Sequence, residues 1–293
     1  EALVKSGKVI PGSRVDLVLA GKVARNALRL ILALRVHDRD VHAFAREVKL
    51  TEAEWQRGIE FLTRCGHITD DRRQEFILLS DVLGVSMLVD AINNRRPAGA
   101  TENTVFGPFH VADAPIRAMG DTISLDGKGE ACLFEGKVID LHGTPIEGAC
   151  VDVWSDNADG FYDVQQPGIQ PKWNNRGRFF TGRDGAYAFR GIKPTSYPIP
   201  DDGPVGQLLG RLGRHPYRPA HMHFMISRDG FDTIITHTFV AGDEYLVSDA
   251  VFGVRNSLIV EFPKHPPGKA PDGKVMDKPY YTAKYDFRLV PSA

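Results

Sequence analysis

The chain has 293 residues, 42% hydrophobic and 25% charged, enough to bury a substantial core in one large or two smaller domains. Lys and Arg total 36 against 37 Asp and Glu, so a net charge of −1 offers no basic surface to nucleic acid or an anionic membrane. Cys65, Cys132 and Cys150 lack CxxC spacing. That argues against a zinc ribbon and for buried free thiols in a reducing, cytoplasmic compartment.

The most apolar stretch runs from Val15 to Val36, but Lys22, Arg25, Arg29 and Arg35 interrupt it, so membrane insertion is not expected. The N-terminal residues do not read as a signal peptide. Ala24, Ala27, Leu28, Ile31 and Leu34 follow Leu17 at helical spacing. The resulting apolar face suits either a monomer core or a subunit interface. Thr51-Glu52-Ala53-Glu54 forms a capping box opening a second helix, with Trp55, Ile59, Leu62 and Cys65 on one face and Gly66 as its stop. A third helix is expected from Leu78 to Ile92, ending near Arg95-Arg96-Pro97.

After Pro97 the helical period disappears. Short β-rich runs follow: 131–139, 149–154, 179–181, 187–190, 221–226, 233–240 and 258–262. Asp184-Gly185 and Asp229-Gly230 read as hairpin turns between them. The expected fold is mainly β with a helical N-terminal region: a helical dimerisation domain over 1–100 and a β-sandwich catalytic domain over 101–293. There is no phosphate-binding glycine loop and no nucleophile elbow.

Of ten histidines, only His221 and His223 have ligand spacing. On a strand, period two puts both imidazoles on one face. A bare His-x-His is a weak motif. Arg218 precedes it by three residues, and Pro219 fixes the entry to the strand. Tyr162 follows Asp159-Gly160-Phe161, and Tyr197 sits in a proline-bracketed loop; each alone reads as a packing residue. Two imidazoles with two phenolates would make a site for a hard, highly charged ion such as ferric iron. Spacing alone does not establish four ligands from separate segments.

The run Tyr197-Pro198-Ile199-Pro200-Asp201-Asp202-Gly203-Pro204-Val205-Gly206, followed by Tyr217-Arg218-Pro219-Ala220-His221-Met222-His223-Phe224, resembles the signature of intradiol ring-cleaving dioxygenases. Residues 104–109 and 78–84 resemble the catechol-type branch, hydroxyquinol 1,2-dioxygenases most of all, with chlorocatechol and catechol dioxygenases close behind. The resemblance covers nearly the whole chain.

It implies one non-haem Fe(III) per subunit, held by Tyr162, Tyr197, His221 and His223, and cleavage of an aromatic diol by O2 to a muconate. Two phenolates and a hydroxide would balance Fe(III), and metal binding should release protons. The resemblance makes Tyr197 both ligand and base, and places Arg218 over the ring to stabilise developing negative charge. The pocket it implies is lined by Leu78, Asp81, Val105, Phe106, Gly107, Pro108, Phe109, Ile199, Pro200 and Val251. Asp81 could accept from the third hydroxyl of hydroxyquinol, or could cap a helix N-terminus. His237 stands where the family often has Gln, with a role in the reaction or in packing around it. The resemblance also implies a homodimer, with a phospholipid at its helical interface. A transthyretin-like binding module and a zinc hydrolase are the readings from other classes.

Overall fold

A computed structural model of the chain describes residues 41–70 and 73–292. It divides into two units, Glu1–Thr63 and Arg64–Ala293. The long apolar helix expected over 15–36 lies outside the described residues.

Residues 41–47 are helical, and α1 follows over Glu52–Ile68. The capping box is present: Glu54 N donates to Thr51 Oγ1 at 3.3 Å, and Thr51 N donates to Glu54 Oε2 at 2.9 Å. Gly66 does not stop the helix. It runs on to Ile68, where the Thr69 hydroxyl donates to Cys65 O at 2.7 Å. The single helix expected over 78–92 is two, α2 (Glu75–Val82) and α3 (Val85–Asn93). Gly84 breaks them with a φ of +74°, a conformation that costs little only without a Cβ. A last helix, α4, spans Pro204–Arg211 and is tied to α2 by Val205 N donating to the buried Glu75 carboxylate at 3.0 Å.

The strands are β1 (Ala131–Asp140), β2 (Cys150–Trp154), β3 (Arg176–Phe180), β4 (Ala186–Ile192), β5 (Tyr197–Pro198), β6 (Tyr217–Arg218), β7 (His221–Ser227), β8 (Ile234–Val240), β9 (Ile259–Val260), β10 (Lys264–His265), β11 (Gly268–Lys269), β12 (Val275–Met276), β13 (Tyr280–Lys284) and β14 (Phe287–Leu289). One five-stranded sheet orders β10-β13-β1-β14, with β4 also paired to β1. The other runs β3-β2-β7-β8-β9. β11 pairs with β12, and β5 with β6.

Asp229-Gly230 does connect an antiparallel pair, β7 and β8. Asp184-Gly185 does not: β3 pairs with β2 and β4 with β1, so this turn carries the chain from one sheet to the other. The turn chemistry fits both outcomes, since Gly185 needs its φ of +70° in either.

The sheets bury a shared core. Val151 and Val153 of β2 and Met222, Phe224 and Ile226 of β7 meet Phe134, Phe189 and Phe287 from the other sheet. The Phe179 and Phe189 rings stack across the gap at 5.2 Å between centroids. Each fully buried phenylalanine contributes about 1.5–3 kcal/mol. This is the expected β-sandwich with helices N-terminal to it.

Candidate metal centre

The alternation of β7 places the site. Its even residues enter the sandwich core, so His221, His223 and Met225 must face the opposite side of the same sheet. Register brings neighbours to that outer face: Trp154 pairs with His223 on one side, and His237 pairs with His223 on the other. The face is nevertheless buried, because loops cover it. Trp154, His221, His223 and His237 are all at most 2% exposed.

Two loops bring the tyrosines there. In the first, Asn157 Oδ1 accepts from Asp159 N at 3.0 Å and Phe161 N at 3.1 Å, a local turn that delivers Tyr162. Asp163 then anchors it: its carboxylate accepts Arg176 Nε at 2.7 Å, Val164 N at 2.9 Å and Trp173 N at 3.0 Å. In the second, β5 pairs with β6 so that Tyr197 lies directly across from Arg218. Gly160 makes the close approach of the two loops possible; a Cβ there would lie 3.1 Å from Tyr197 Cβ.

The donor atoms form a connected set. His221 Nε2 and His223 Nε2 are 3.2 Å apart, His223 Nε2 and Tyr162 Oη 2.9 Å, and Tyr162 Oη and Tyr197 Oη 3.3 Å. Adjacent ligands on one ion at about 2.1 Å stand roughly 3.0–3.4 Å apart, so these spacings fit a single metal. His221 Nδ1 is 2.7 Å from Pro219 O; donating there leaves Nε2 as the lone-pair nitrogen, the arrangement a metal ligand needs. A third imidazole, His237, brings a nitrogen within 4.8 Å of those of His221 and His223. Both of its ring nitrogens are buried, with the Val105 backbone beside the ring.

Burial sets the protonation states. It pushes Tyr162 well above the ordinary phenol range and raises Tyr197, where the Arg218 cation opposes the shift. Burial holds His221, His223 and His237 well below the usual imidazole range, reinforced in all three by Arg218 and in His223 and His237 by neighbouring imidazoles. Neutral imidazoles beside ionisable phenols are the donor set that suits a hard trivalent cation.

Arg218 is buried, its Nη1 3.2 Å from His221 Nε2. Around these donor groups, a Cβ on Gly107 would lie 3.1 Å from His223 Cε1, and Phe109 stacks on Tyr162 at 4.4 Å between centroids. Phe106 packs edge-on against Trp154. Val251 and Ile199 are buried, Val105 and Leu78 half-buried, and Pro108 and Pro200 exposed. Asp81 is no N-cap. It lies in the last turn of α2, one turn beyond Leu78, and the N-cap of α3 is Gly84. Burial raises its carboxyl above the usual range; Ser86 and Arg218 counter this and Asp249 adds to it. Asp81 therefore shares its surroundings with Arg218.

Three features carry no signal in the sequence. Asp249 meets Arg218 across 31 residues, with Nε 3.2 Å from Oδ1. Arg176 and Asp163 form a buried pair. Asp156 is fully buried, has no hydrogen-bond partner on either carboxylate oxygen, and is pushed well above the carboxylate range by burial.

Comparison with known proteins fits this geometry. The family model described as "Dioxygenase" matches residues 105–291, and the one described as "Catechol dioxygenase N terminus" matches 36–101. The chain belongs to the intradiol ring-cleavage dioxygenases. It is 58% identical over 234 residues to the hydroxyquinol 1,2-dioxygenase of Rhizobium sp. strain MTP-10005, covering 80% of this chain and 79% of that one. It is 52% identical over 254 residues to the 6-chlorohydroxyquinol 1,2-dioxygenase of Cupriavidus pinatubonensis, covering 87% and 88%. The crystal structure of hydroxyquinol 1,2-dioxygenase from Pseudomonas putida DLL-E4 superposes with a TM-score of 0.86 at 43% identity, covering 96% of this chain and all of that one. The chain is therefore an oxidoreductase of the catechol-type branch, which removes the binding-module and zinc-hydrolase readings. Among the described residues, no helix is long and apolar enough to cross a membrane.

Proposed function

We propose that the chain cleaves hydroxyquinol between its adjacent hydroxylated carbons, inserting both atoms of O2 to give 3-hydroxy-cis,cis-muconate. The observation that carries this reading is Asp81, a half-buried carboxylate beside Ser86 and within electrostatic reach of Arg218 and Asp249. Ser86 leaves acceptor capacity on that carboxylate, and hydroxyquinol offers a third hydroxyl that catechol and chlorocatechols lack.

Tyr162, Tyr197, His221 and His223 would hold one Fe(III) per subunit. When bound, it supplies the Lewis acidity and redox coupling that bring the diol and O2 to reaction. The protein's side chains manage protons and charge. Tyr197 Oη, with a raised affinity for protons, is suited to take one from a substrate hydroxyl as the diol docks. Arg218, fixed and permanently charged, stabilises negative charge developing on the ring. His237 is neutral and buried, so it can orient a ring oxygen by hydrogen bonding but cannot add a charge. Leu78, Ile199, Pro200, Val251 and the 105–109 loop confine the ring and exclude water.

We assign catalysis to residues 101–293 and assembly to residues 1–100. Phe76, Ile77, Val85, Leu88, Val89 and Ile92 leave an exposed apolar surface on α2 and α3, consistent with a homodimer and with a phospholipid acyl chain at its interface. A cytoplasmic location accords with three free cysteines. A monomeric mass by light scattering at micromolar concentration would refute the dimer.

The test is iron analysis with a visible spectrum, repeated anaerobically with hydroxyquinol and with catechol. The reading expects stoichiometric iron, a tyrosinate charge-transfer band, and its replacement on adding substrate. It also expects Asp81→Ala to lose hydroxyquinol turnover selectively; an unchanged ratio against catechol sinks the substrate assignment.

A further inference from the structure

Resting on that reading, we infer that Asp249 is the positioning residue for Arg218, fixing the guanidinium in one place and coupling it to the wall of the substrate pocket. Both side chains are buried, at 2% and 5% exposure. The carboxylate meets the guanidinium edge-on: Arg218 Nε to Oδ1 at 3.2 Å and Nη2 to Oδ2 at 3.4 Å. A two-point fork of this kind fixes the plane of the cation as well as its position. Nη1 is left pointing at the ligand set, 3.2 Å from His221 Nε2.

Asp249 is itself held by the backbone it belongs to. Val251 N donates to Oδ1 at 3.2 Å and Gly253 N to Oδ2 at 2.9 Å. The carboxylate therefore takes two side-chain and two main-chain donors, and leaves no freedom for the turn to move apart from Arg218. Gly253 leaves the space: a Cβ there would lie 2.9 Å from Arg218 Nη2 and 3.1 Å from Asp249 Oδ2. Val251, a pocket residue, rides on the same turn.

The turn is clasped from the other side by Arg214. Its Nη1 donates to Val82 O at 2.6 Å, its Nη2 donates to Ala250 O at 2.9 Å, and its guanidinium lies 4.6 Å over the Phe252 ring. Phe252, held at a φ of +58°, packs in turn against Gly84. The helix end that carries Asp81 and the turn that carries Asp249 are thus joined. Asp249 holds Arg218 at two points, and Asp81, on the joined helix end, lies within reach of the cation's charge. Without the Asp249 grip the guanidinium loses its fixed plane beside the pocket.

The experiment is a kinetic cycle on the iron-loaded enzyme with Asp249→Asn, Arg218→Gln and the double variant. Asn keeps the shape and one acceptor oxygen but loses the charge and half the fork. The expected result is a kcat lowered about 10- to 100-fold in Asp249→Asn, as for loss of an outer support of a catalytic group, with iron content and the tyrosinate band unchanged. KM should change less than about 3-fold, and the hydroxyquinol-to-catechol preference should fall. In the Arg218→Gln background, Asp249→Asn should add less than about 3-fold, because it acts through the arginine. Gly253→Ala, which keeps both charged groups but crowds the contact between Nη2 and Oδ2, should give the same pattern and serves if Asp249→Asn folds poorly. Multiplicative effects in the cycle, or full kcat in both Asp249→Asn and Gly253→Ala, overturn the inference. Wild type that holds iron but turns over no diol would instead overturn the reading it rests on.

Discussion

Removing Arg176 should show how much of the Tyr162 anchor is electrostatic. Arg176 is 1% exposed and Asp163, the residue after Tyr162, has a side-chain exposure of 6%. Nε donates to Asp163 Oδ1 at 2.7 Å; Nη2 lies 2.6 Å from the same oxygen, too far off line for a second hydrogen bond. Breaking one half of a buried pair typically costs about 3–5 kcal/mol, because the remaining charge stays buried and uncompensated. Asp163 keeps the backbone N–H groups of Val164 and Trp173, so Arg176→Met belongs at the low end, about 3 kcal/mol. Against a total stability of about 5–15 kcal/mol that is a large fraction. Neutralising the orphan as well, in Arg176→Met/Asp163→Asn, should restore most of the loss, because the desolvation of a lone carboxylate disappears. Chemical denaturation of the three proteins measures this. A single-variant cost below about 1 kcal/mol, or a double variant no more stable than the single, would refute the argument.

Gly107→Ala forces a residue with a Cβ into a φ of +74° and sets that Cβ 3.1 Å from His223 Cε1. Strain of about 1–2 kcal/mol should appear as faster iron loss to a chelator, and wild-type retention would contradict the contact. Burial raises both tyrosines and lowers the histidines, so at neutral pH the metal-free chain carries two phenols and neutral imidazoles. Iron uptake should then release one proton from each tyrosine and none from the histidines, read with a pH indicator against a chelate blank. Asp81 has a raised pKa, so acid protonates it earlier than an ordinary carboxylate near 3.9. The kcat/KM ratio of hydroxyquinol to catechol should fall as pH is lowered in wild type and stay flat in Asp81→Asn; parallel profiles would remove Asp81 from recognition.

Local signals in the sequence survived folding where local chemistry decides. The seven expected runs coincide with β1–β4 and β7–β9, although β9 shortens to Ile259–Val260 after a 3-10 turn, and the Thr51 box caps its helix. The strands β5, β6 and β10–β14, most of them two or three residues long, lie outside the expected runs. His-x-His was legible because period two is a property of the strand itself. What failed needed knowledge of distant partners. Asp184-Gly185 is a correct turn, yet the choice between joining neighbours in one sheet and crossing to the other depends on which edge each strand finds. Gly84 splits a helix whose apolar pattern is continuous, because it adopts the left-handed conformation and takes Phe252 against its backbone. Asp249 with Arg218, and Asp163 with Arg176, are pairs 31 and 13 residues apart with no spacing rule behind them. The two tyrosines became ligand candidates through likeness to a family, not through any pattern of their own.

The placement of the two candidate histidine ligands on a core strand has a consequence for how rigid the site can be. In β7, Met222, Phe224 and Ile226 fill the sandwich while His221, His223 and Met225 alternate with them. A slip of one residue would put imidazoles into the hydrophobic core and a phenylalanine among the ligands, at a cost no partial rearrangement could recover. The packing energy of the core therefore fixes the spacing of the two imidazoles without any contact made by the site itself. Register with β2 and β8 extends the same constraint sideways to Trp154 and His237. The tyrosines lack that support. They arrive on loops, and each is held by its own polar device: the Asn157 turn with the Asp163–Arg176 pair for Tyr162, and pairing with the Arg218 strand for Tyr197. Tyr197 sits on a two-residue strand, outside the core strands that fix the imidazoles.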